Sequence, residues 1–274
     1  MKINALLGFI SLSTVLILFN HGSILANGSN TTAINGNNTT AVNLDDAQLK
    51  MLLADYVNWD TSLPDAKMPT PQSTPPQSTV NQCVIKSGPV VYLVDPFSRG
   101  KFNQICEIKS ESSLLFPFFI GFCDNGGAGN YGEQSFQKIS DCAMDSDKGI
   151  VTMEGWVDGN KIIDIKVDNK DFHNPIKIYD KFPGNNYYKV IKTDNFFNNT
   201  AKSDSHLAGS YKEGVLSSSP AIFKGAGHCF CGLVPNLSPG SHEVRYKTTI
   251  EGTGGMSVGG YDQMTDVTYK INVK

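Results

Sequence analysis

Two of the six cysteines and one of the five histidines lie close together in one short stretch, GAGHCFCGL at positions 225–233, and could do chemistry there. Cys229 and Cys231 are separated by one phenylalanine and directly follow His228. In a β-strand, residues i and i+2 point to the same face, so the two thiols would lie side by side with His228 on the opposite face. Their Cα atoms would be about 6.6 Å apart, near the upper limit for a disulfide. A direct bridge between them therefore requires a bulge or a bend.

Three interpretations of this pair remain open from the residues alone. The sulfurs could belong to structural disulfides, or they could form a redox-active pair. Both thiolates could also bind a soft metal ion such as copper(I), with His228 as a third ligand if the chain leaves the strand there. Six cysteines in an exported chain most simply form three disulfides, because free thiols do not persist in an oxidising compartment. We therefore favour disulfides without a cofactor, with candidates Cys83, Cys106, Cys123, Cys142, Cys229 and Cys231.

Two further motifs suggest chemistry but are incomplete. Residues 255–259 match G-x-S-x-G around Ser257, yet no histidine follows His242, so a hydrolase triad in the usual chain order is missing. Calcium is possible near Gly149, where three aspartates are closely spaced, but Trp156 stands where a calcium loop would need its glutamate. These aspartates are Asp141, Asp145 and Asp147. We interpret the first segment as a flexible loop and the second as a solvated loop.

The beginning of the chain predicts export. Residues 1–26 contain one lysine, an apolar run and small residues, the order of a cleavable signal peptide; an uncleaved membrane anchor is the alternative. Residues 27–43 form a polar stalk rich in asparagine and threonine. The net charge of −3, without a basic patch, argues against a nucleic-acid partner. Sequons predict glycosylation at Asn27, Asn30, Asn37, Asn38, Asn198 and Asn236.

The elements that must position these residues are mainly strands. Residues 44–63 predict an amphipathic helix, and 64–79 a linker rich in proline, serine and threonine. From residue 80 to 274 the pattern alternates over short segments with Gly and Pro turns, including a hairpin at Asp158-Gly159. Pro117 within an apolar run indicates a bulge or an edge position. The aromatic residues Phe116, Phe118, Phe119, Phe122 and Trp156 are better explained by core packing than by a ligand groove.

Short landmarks along residues 50–274 resemble a family of small exported β-rich proteins to which no activity is assigned. They are Trp59, CVIKSGPVVYL (83–93), Cys106, LFPFFIGFC (115–123), VDG (157–159), LSPGSHEV (237–244) and DVTYKINV (266–273). The resemblance implies a β domain with bridges among Cys83, Cys106, Cys123 and Cys142. The stretch GAGHCFCGL departs from the family pattern, so the pair Cys229 and Cys231 is a feature of this chain.

The sequence thus predicts an antiparallel β-sandwich, jelly-roll or immunoglobulin-like, with one N-terminal amphipathic helix. The expected function is non-enzymatic: a secreted or cell-surface module that binds an extracellular ligand or another surface component. The alternative is an extracytoplasmic copper-binding or thiol-redox protein that uses Cys229 and Cys231.

Overall fold

A computed structural model describes residues 44–72, 80–88, 90–96, 99–109, 112–166, 188–216, 220–235, 237–250 and 263–274. The predicted signal peptide, the polar stalk, residues 73–79 of the proline-rich linker and Ser257 lie outside these ranges. The sequons at Asn27, Asn30, Asn37, Asn38 and Asn236 lie outside them as well. Within the described ranges, no helix combines the length and hydropathy needed to cross a bilayer.

Strands dominate the described residues, as predicted. The helices are α1 (Asp46–Thr61), α2 (Phe136–Asp145) and the short 3-10 helices Asp65–Lys67, Ser146–Gly149 and Ala208–Ser210. The strands are β1 (Val80–Gln82), β2 (Ile85–Lys86), β3 (Val90–Leu93), β4 (Gly100–Ile108), β5 (Ser113–Asp124), β6 (Ile150–Val157), β7 (Asn160–Lys166), β8 (Tyr188–Lys192), β9 (Phe197–Ala201), β10 (Ala221–Val234), β11 (Gly240–Ile250) and β12 (Gln263–Val273).

The strands form two sheets. The first has the order β1-β4-β12-β11-β6-β7, and the second has the order β2-β3-β5-β10-β8 with β9 also paired to β10. The prediction that all strands pair antiparallel is wrong, because β4 pairs parallel with both β1 and β12, and β3 pairs parallel with β5. The strands of these pairs are not joined by tight turns, so the chain can return to the same end of the sheet.

Buried side chains of both sheets form one hydrophobic cluster. Phe116 of β5 stacks on Tyr246 of β11 with ring centroids 6.0 Å apart, and Phe118 contacts the same tyrosine. The alternation predicted for the last two long strands is confirmed, since Val244, Tyr246 and Tyr269 are almost completely buried. The first sheet therefore has one apolar face and one outward polar face.

Strand β5 contains a bulge next to Pro117. Phe230 of β10 pairs with Phe119, whereas Cys231 pairs with Pro117, so Phe118 is the extra residue. Phe118 and Phe119 consequently both belong to the cluster shared by the two sheets. The sequence prediction of a bulge or an edge position is confirmed.

Helix α1 packs on the second sheet, on the face opposite the shared cluster. It begins with a capping box in which the Asp45 carboxylate accepts the Gln48 amide and the Gln48 side chain accepts the Asp45 amide. Leu53, Tyr56 and Val57 are buried in a second cluster beneath this helix. The predicted helix over 44–63 is confirmed, with observed ends inside those limits.

Helix α2 was not predicted. Asp141 and Asp145 lie on it, so the prediction of a solvated loop is wrong at these positions. Ile139 and Ala143 are buried, and a disulfide joins Cys142 to Cys123 of β5. These tertiary contacts stabilise a segment whose aspartates and serines are weak helix formers.

Candidate functional site

Cys229 and Cys231 form a disulfide in the middle of β10. Their Cα atoms are 5.3 Å apart, closer than the roughly 6.6 Å expected for alternate residues of a regular strand. The short Cα distance shows that β10 contracts at this point, opposite the bulge in β5, while its pairing with β8 stays in register. The other pairs, Cys83–Cys106 and Cys123–Cys142, agree with the bridges implied by the family resemblance.

This disulfide lies beneath α1, away from solvent. Cys229 is 0% exposed and Cys231 is 1% exposed, and both belong to the apolar cluster that contains Leu53 and Tyr56. A reducing thiol would have to displace the helix to reach either sulfur. The environment is that of a structural bridge rather than of an accessible exchange site.

His228 lies on the opposite face of β10 from the two cysteines. Its ring stacks on Phe119 with centroids 6.3 Å apart and contacts Phe230 edge-on. The three residues proposed as copper ligands are therefore not brought together. Among the described residues, no group of three histidine, cysteine, aspartate or glutamate side chains is arranged to hold a metal ion.

The outward side of the first sheet carries polar side chains in an ordered array. We call it the polar face and define it by two adjacent rows of side chains that cross β4, β12, β11, β6 and β7 in register. The first row is Asn103, Thr268, Arg245, Trp156 and Lys161; the second row is Lys101, Asp266, Lys247, Glu154 and Asp164.

Trp156 occupies the centre of the first row between two cations. The Arg245 guanidinium carbon is 5.0 Å from the indole centroid, and the Lys161 ammonium nitrogen is 5.5 Å from it. Such cation–π contacts restrict the three side chains to one arrangement. The prediction that Trp156 belongs to the core is therefore wrong, whereas Phe116, Phe118 and Phe119 are buried as expected.

Arg245 is held a second time, by Asp266. Its Nε and Nη2 atoms donate to the two carboxylate oxygens, both at 2.8 Å, in a bidentate ion pair. The hydrogen bonds to Asp266 are the main cause of the raised pKa of the guanidinium. Because the Asp266 side chain is only 8% exposed, it holds Arg245 from below while the Arg245 side chain stays 40% exposed.

A small cleft opens beside this ion pair. Its volume is about 220 Å³, and its lining is polar: Gln72, Lys101, Asn103, Arg245, Asp266 and Thr268. The backbone amide of Gln72 donates to the carbonyl of Lys101, so the segment after α1 forms one wall. The cleft offers amide, hydroxyl, ammonium, guanidinium and carboxylate groups within one site.

A separate polar network connects α1 to the second sheet. The Asp124 carboxylate accepts hydrogen bonds from Asn199, Tyr211 and the backbone amides of Gly126 and Gly127. Asn199 in turn accepts from the Thr61 hydroxyl at 2.8 Å. With its oxygens occupied in this way, Asp124 stabilises the contact between α1 and the second sheet.

Asp60, in the last turn of α1, is a completely buried acid. Neither carboxylate oxygen has a hydrogen-bond partner among the described residues, and the His206 ring nitrogen is 4.0 Å from Oδ2. Burial raises the pKa of Asp60 well above its usual range, and the negative charge of Asp95 raises it further. Burial also lowers the pKa of His206.

We expect Asp60→Asn to stabilise the fold at neutral and alkaline pH. Because the pKa of Asp60 is higher in the folded protein than in the unfolded one, the free energy of unfolding falls as the pH rises from about 4 towards the folded-state pKa. The variant should gain about 2 kcal/mol of unfolding free energy at pH 8, with a smaller gain at pH 4. Urea unfolding at both pH values measures the change in unfolding free energy.

The exposed control Asp204→Asn should change the unfolding free energy by less than about 0.5 kcal/mol. An equal loss of stability in both variants would contradict the expected effect of burial on Asp60.

Comparisons with known proteins do not identify this chain. No family model matches it, and no curated protein matches it. The solved structure of PbICP-C in complex with falcipain-2 aligns with 68% of this chain and 100% of that chain, at 8% identity and a TM-score of 0.22. A TM-score this low carries no argument about fold or function.

Sequence reasoning missed the polar face because the face depends on register. The alternation of β11 already indicated that Arg245 and Lys247 share one side. Nothing in the local sequence indicates that Trp156 stands opposite Arg245, or that Asp266 stands between Lys101 and Lys247. A tryptophan that stands among hydrophobic residues in the sequence is more often buried than exposed, so the sequence assigns Trp156 to the core.

Proposed function

We propose that the protein is a non-enzymatic extracellular binding module whose contact surface is the polar face. The observation that supports this most strongly is the difference between the two sheets. Helix α1 packs on the outer side of the second sheet, whereas the outer side of the first sheet carries Trp156, Arg245 and a cleft without a covering helix among the described residues. A rigid, accessible polar array is typical of a recognition surface.

The fold that carries this surface is proposed to be a β-sandwich preceded by an amphipathic helix. The cluster shared by both sheets supports the sandwich, because it joins Phe102 and Tyr269 of one sheet to Leu93 and Phe230 of the other. The mixture of parallel and antiparallel pairs favours neither the jelly-roll nor the immunoglobulin pattern.

Export is proposed from three disulfides together with the signal-like residues 1–26. Asn198 is exposed on β9 and begins the sequon Asn198-Asn199-Thr200, so this position is accessible for glycosylation. The alternative of a copper or thiol-redox protein has less support, since Cys229 and Cys231 are bridged and buried.

Binding to intact cells tests the role of the polar face. The labelled protein should bind the outer surface of the cells that export it, saturably and in competition with unlabelled protein. Trp156→Ala removes the ring on which Arg245 and Lys161 pack, so we expect at least tenfold weaker binding, equivalent to about 1.4 kcal/mol. The measurement is a titration by flow cytometry.

Tyr131→Ala is the matched control for this experiment. Tyr131 is 52% exposed and has the Lys212 ammonium 4.1 Å from its ring centroid, so it is an aromatic–cation pair away from the polar face. Its loss should change cell binding less than twofold. Equal losses in the two variants, or no saturable binding by the wild type, would contradict the proposed function.

A further inference from the structure

The charges around the cleft on the polar face are not balanced. Asp266 stands between Lys101 and Lys247 in the cross-strand register and is already bound by Arg245. Neither Lys101 nor Lys247 forms an ion pair with a described residue, and Arg245 Nη1 has no acceptor among these residues. Two cations, Lys101 and Arg245, therefore line the cleft with one largely buried carboxylate. Lys247 stands on the other side of that carboxylate, so positive groups outnumber negative ones here on a chain of net charge −3.

Acids outside the cleft reduce this excess without entering the cleft. Besides Asp266, Glu243 and Glu154 contribute to the raised pKa of Arg245, but neither glutamate lines the cleft. Glu154 and Asp164 both bind Lys161, at 2.8 and 3.0 Å. Glu154 stands next to Lys247 in the second row, and Asp164 lies one strand farther away. The cations that line the cleft, Lys101 and Arg245, therefore outnumber its one carboxylate.

The chemistry of the cleft favours a hydroxyl-rich anion. Gln72, Asn103 and Thr268 provide neutral donors and acceptors beside the cations. A volume of about 220 Å³ is smaller than the roughly 300–1,000 Å³ of clefts that enclose drug-sized ligands, so it suits a single small polar unit. The polar lining does not suit an apolar ligand.

A protein partner fits this surface less well. The core of a protein interface is usually apolar, enriched in aromatic residues and Arg, and depleted of Lys, Asp and Glu, which are frequent on the polar face. On the polar face, Arg245 and Lys161 already cover the ring of Trp156. Among the described residues of this face, Ile105 is the large apolar side chain that is exposed, at 44%. A polysaccharide chain needs hydrogen-bonding groups over a flat surface rather than an apolar core.

We propose that the polar face binds an acidic polysaccharide, with one uronate ring in the cleft and its carboxylate beside Lys101, Lys247 and Arg245. This inference rests on the proposed function, because it assigns a ligand class to the same surface. Hydroxyl groups of the ring pair with Gln72, Asn103 and Thr268. The attraction is electrostatic at an exposed site, so it weakens as salt is added.

Titration calorimetry of the intact protein with sodium alginate, a polyuronate, tests the proposal, with neutral dextran as the comparison. At 20 mM NaCl alginate should bind at least tenfold more tightly than dextran, and 300 mM NaCl should weaken it several-fold. Lys101→Ala/Lys247→Ala should lose at least tenfold in affinity, whereas the matched double change Lys202→Ala/Lys212→Ala should lose less than twofold. Absence of alginate binding, equal binding of dextran, or equal losses in both double variants would overturn the proposal.

Competition on cells separates this inference from the proposed function. If alginate displaces the protein from cells, the ligand class is supported. If cell binding is sensitive to Trp156→Ala but alginate does not compete, or if protease treatment of the cells abolishes binding, the polysaccharide proposal fails while the polar face remains the contact surface. Absence of any cell binding would contradict the proposed function itself.

Discussion

Gly121→Ala is expected to destabilise the protein by about 3 kcal/mol. Gly121 of β5 lies directly opposite His228, and an added Cβ would overlap the His228 ring, the Ala143 carbonyl and the Ser146 hydroxyl. The histidine ring is confined between Phe119 and Phe230, and the carbonyl belongs to the backbone of α2. None of these groups can move without disturbing the core.

Urea unfolding of the oxidised protein measures this effect. Gly129→Ala is the matched control, because an added Cβ there meets no atom within 4 Å. It should change the unfolding free energy by less than about 0.5 kcal/mol. Equal stability of the two variants would show that α2 does not pack against β5 and β10 as described.

Cys229→Ser/Cys231→Ser is expected to cost about 4 kcal/mol without removing the binding function. In the chain-entropy model, closure of so short a loop accounts for only about 1.5 kcal/mol. The rest comes from two hydroxyls that replace a disulfide in the apolar cluster beneath Leu53 and Tyr56. Thermal unfolding measures the loss, and cell binding is measured at a temperature where the variant remains folded.

The alanine pair at the same positions separates the two contributions. Cys229→Ala/Cys231→Ala also opens the loop but introduces no hydroxyl, so it should be more stable than the serine pair. Wild-type stability combined with lost cell binding would contradict a structural role and would favour a redox or metal role for the two cysteines. Alkylation of the native protein should label neither sulfur, since both are bridged and buried.

Much of the fold follows from local patterns in the sequence. The period of two in β11 and β12 identified the buried faces, and Asp158-Gly159 identified a hairpin whose two residues both have positive φ. Pro117 located the bulge. The parallel pairing of β4 with β12 could not be predicted in this way, because these strands are more than 150 positions apart and pairing depends on the whole fold. Helix α2 depends on tertiary contacts of Ile139 and Ala143.

The candidate site was less predictable than the fold. The sequence drew attention to Cys229, Cys231 and His228, whose residue types are rare and reactive. The structure distributes them over two faces of one buried strand. The polar face consists of common residues, such as Lys101 and Lys247, that gain significance only through cross-strand register.

Hydroxyl-radical footprinting of the protein bound to its cells tests the central claim most directly, because it locates the contact surface whatever the chemical nature of the ligand. Trp156, Met51 and Tyr131 are oxidisable side chains in three regions of the described surface, with Met51 on α1 and 68% exposed. Binding is expected to protect Trp156 from oxidation and to leave Met51 and Tyr131 unchanged. Protection of Met51 or Tyr131 with unchanged oxidation of Trp156 would place the contact elsewhere and contradict the account.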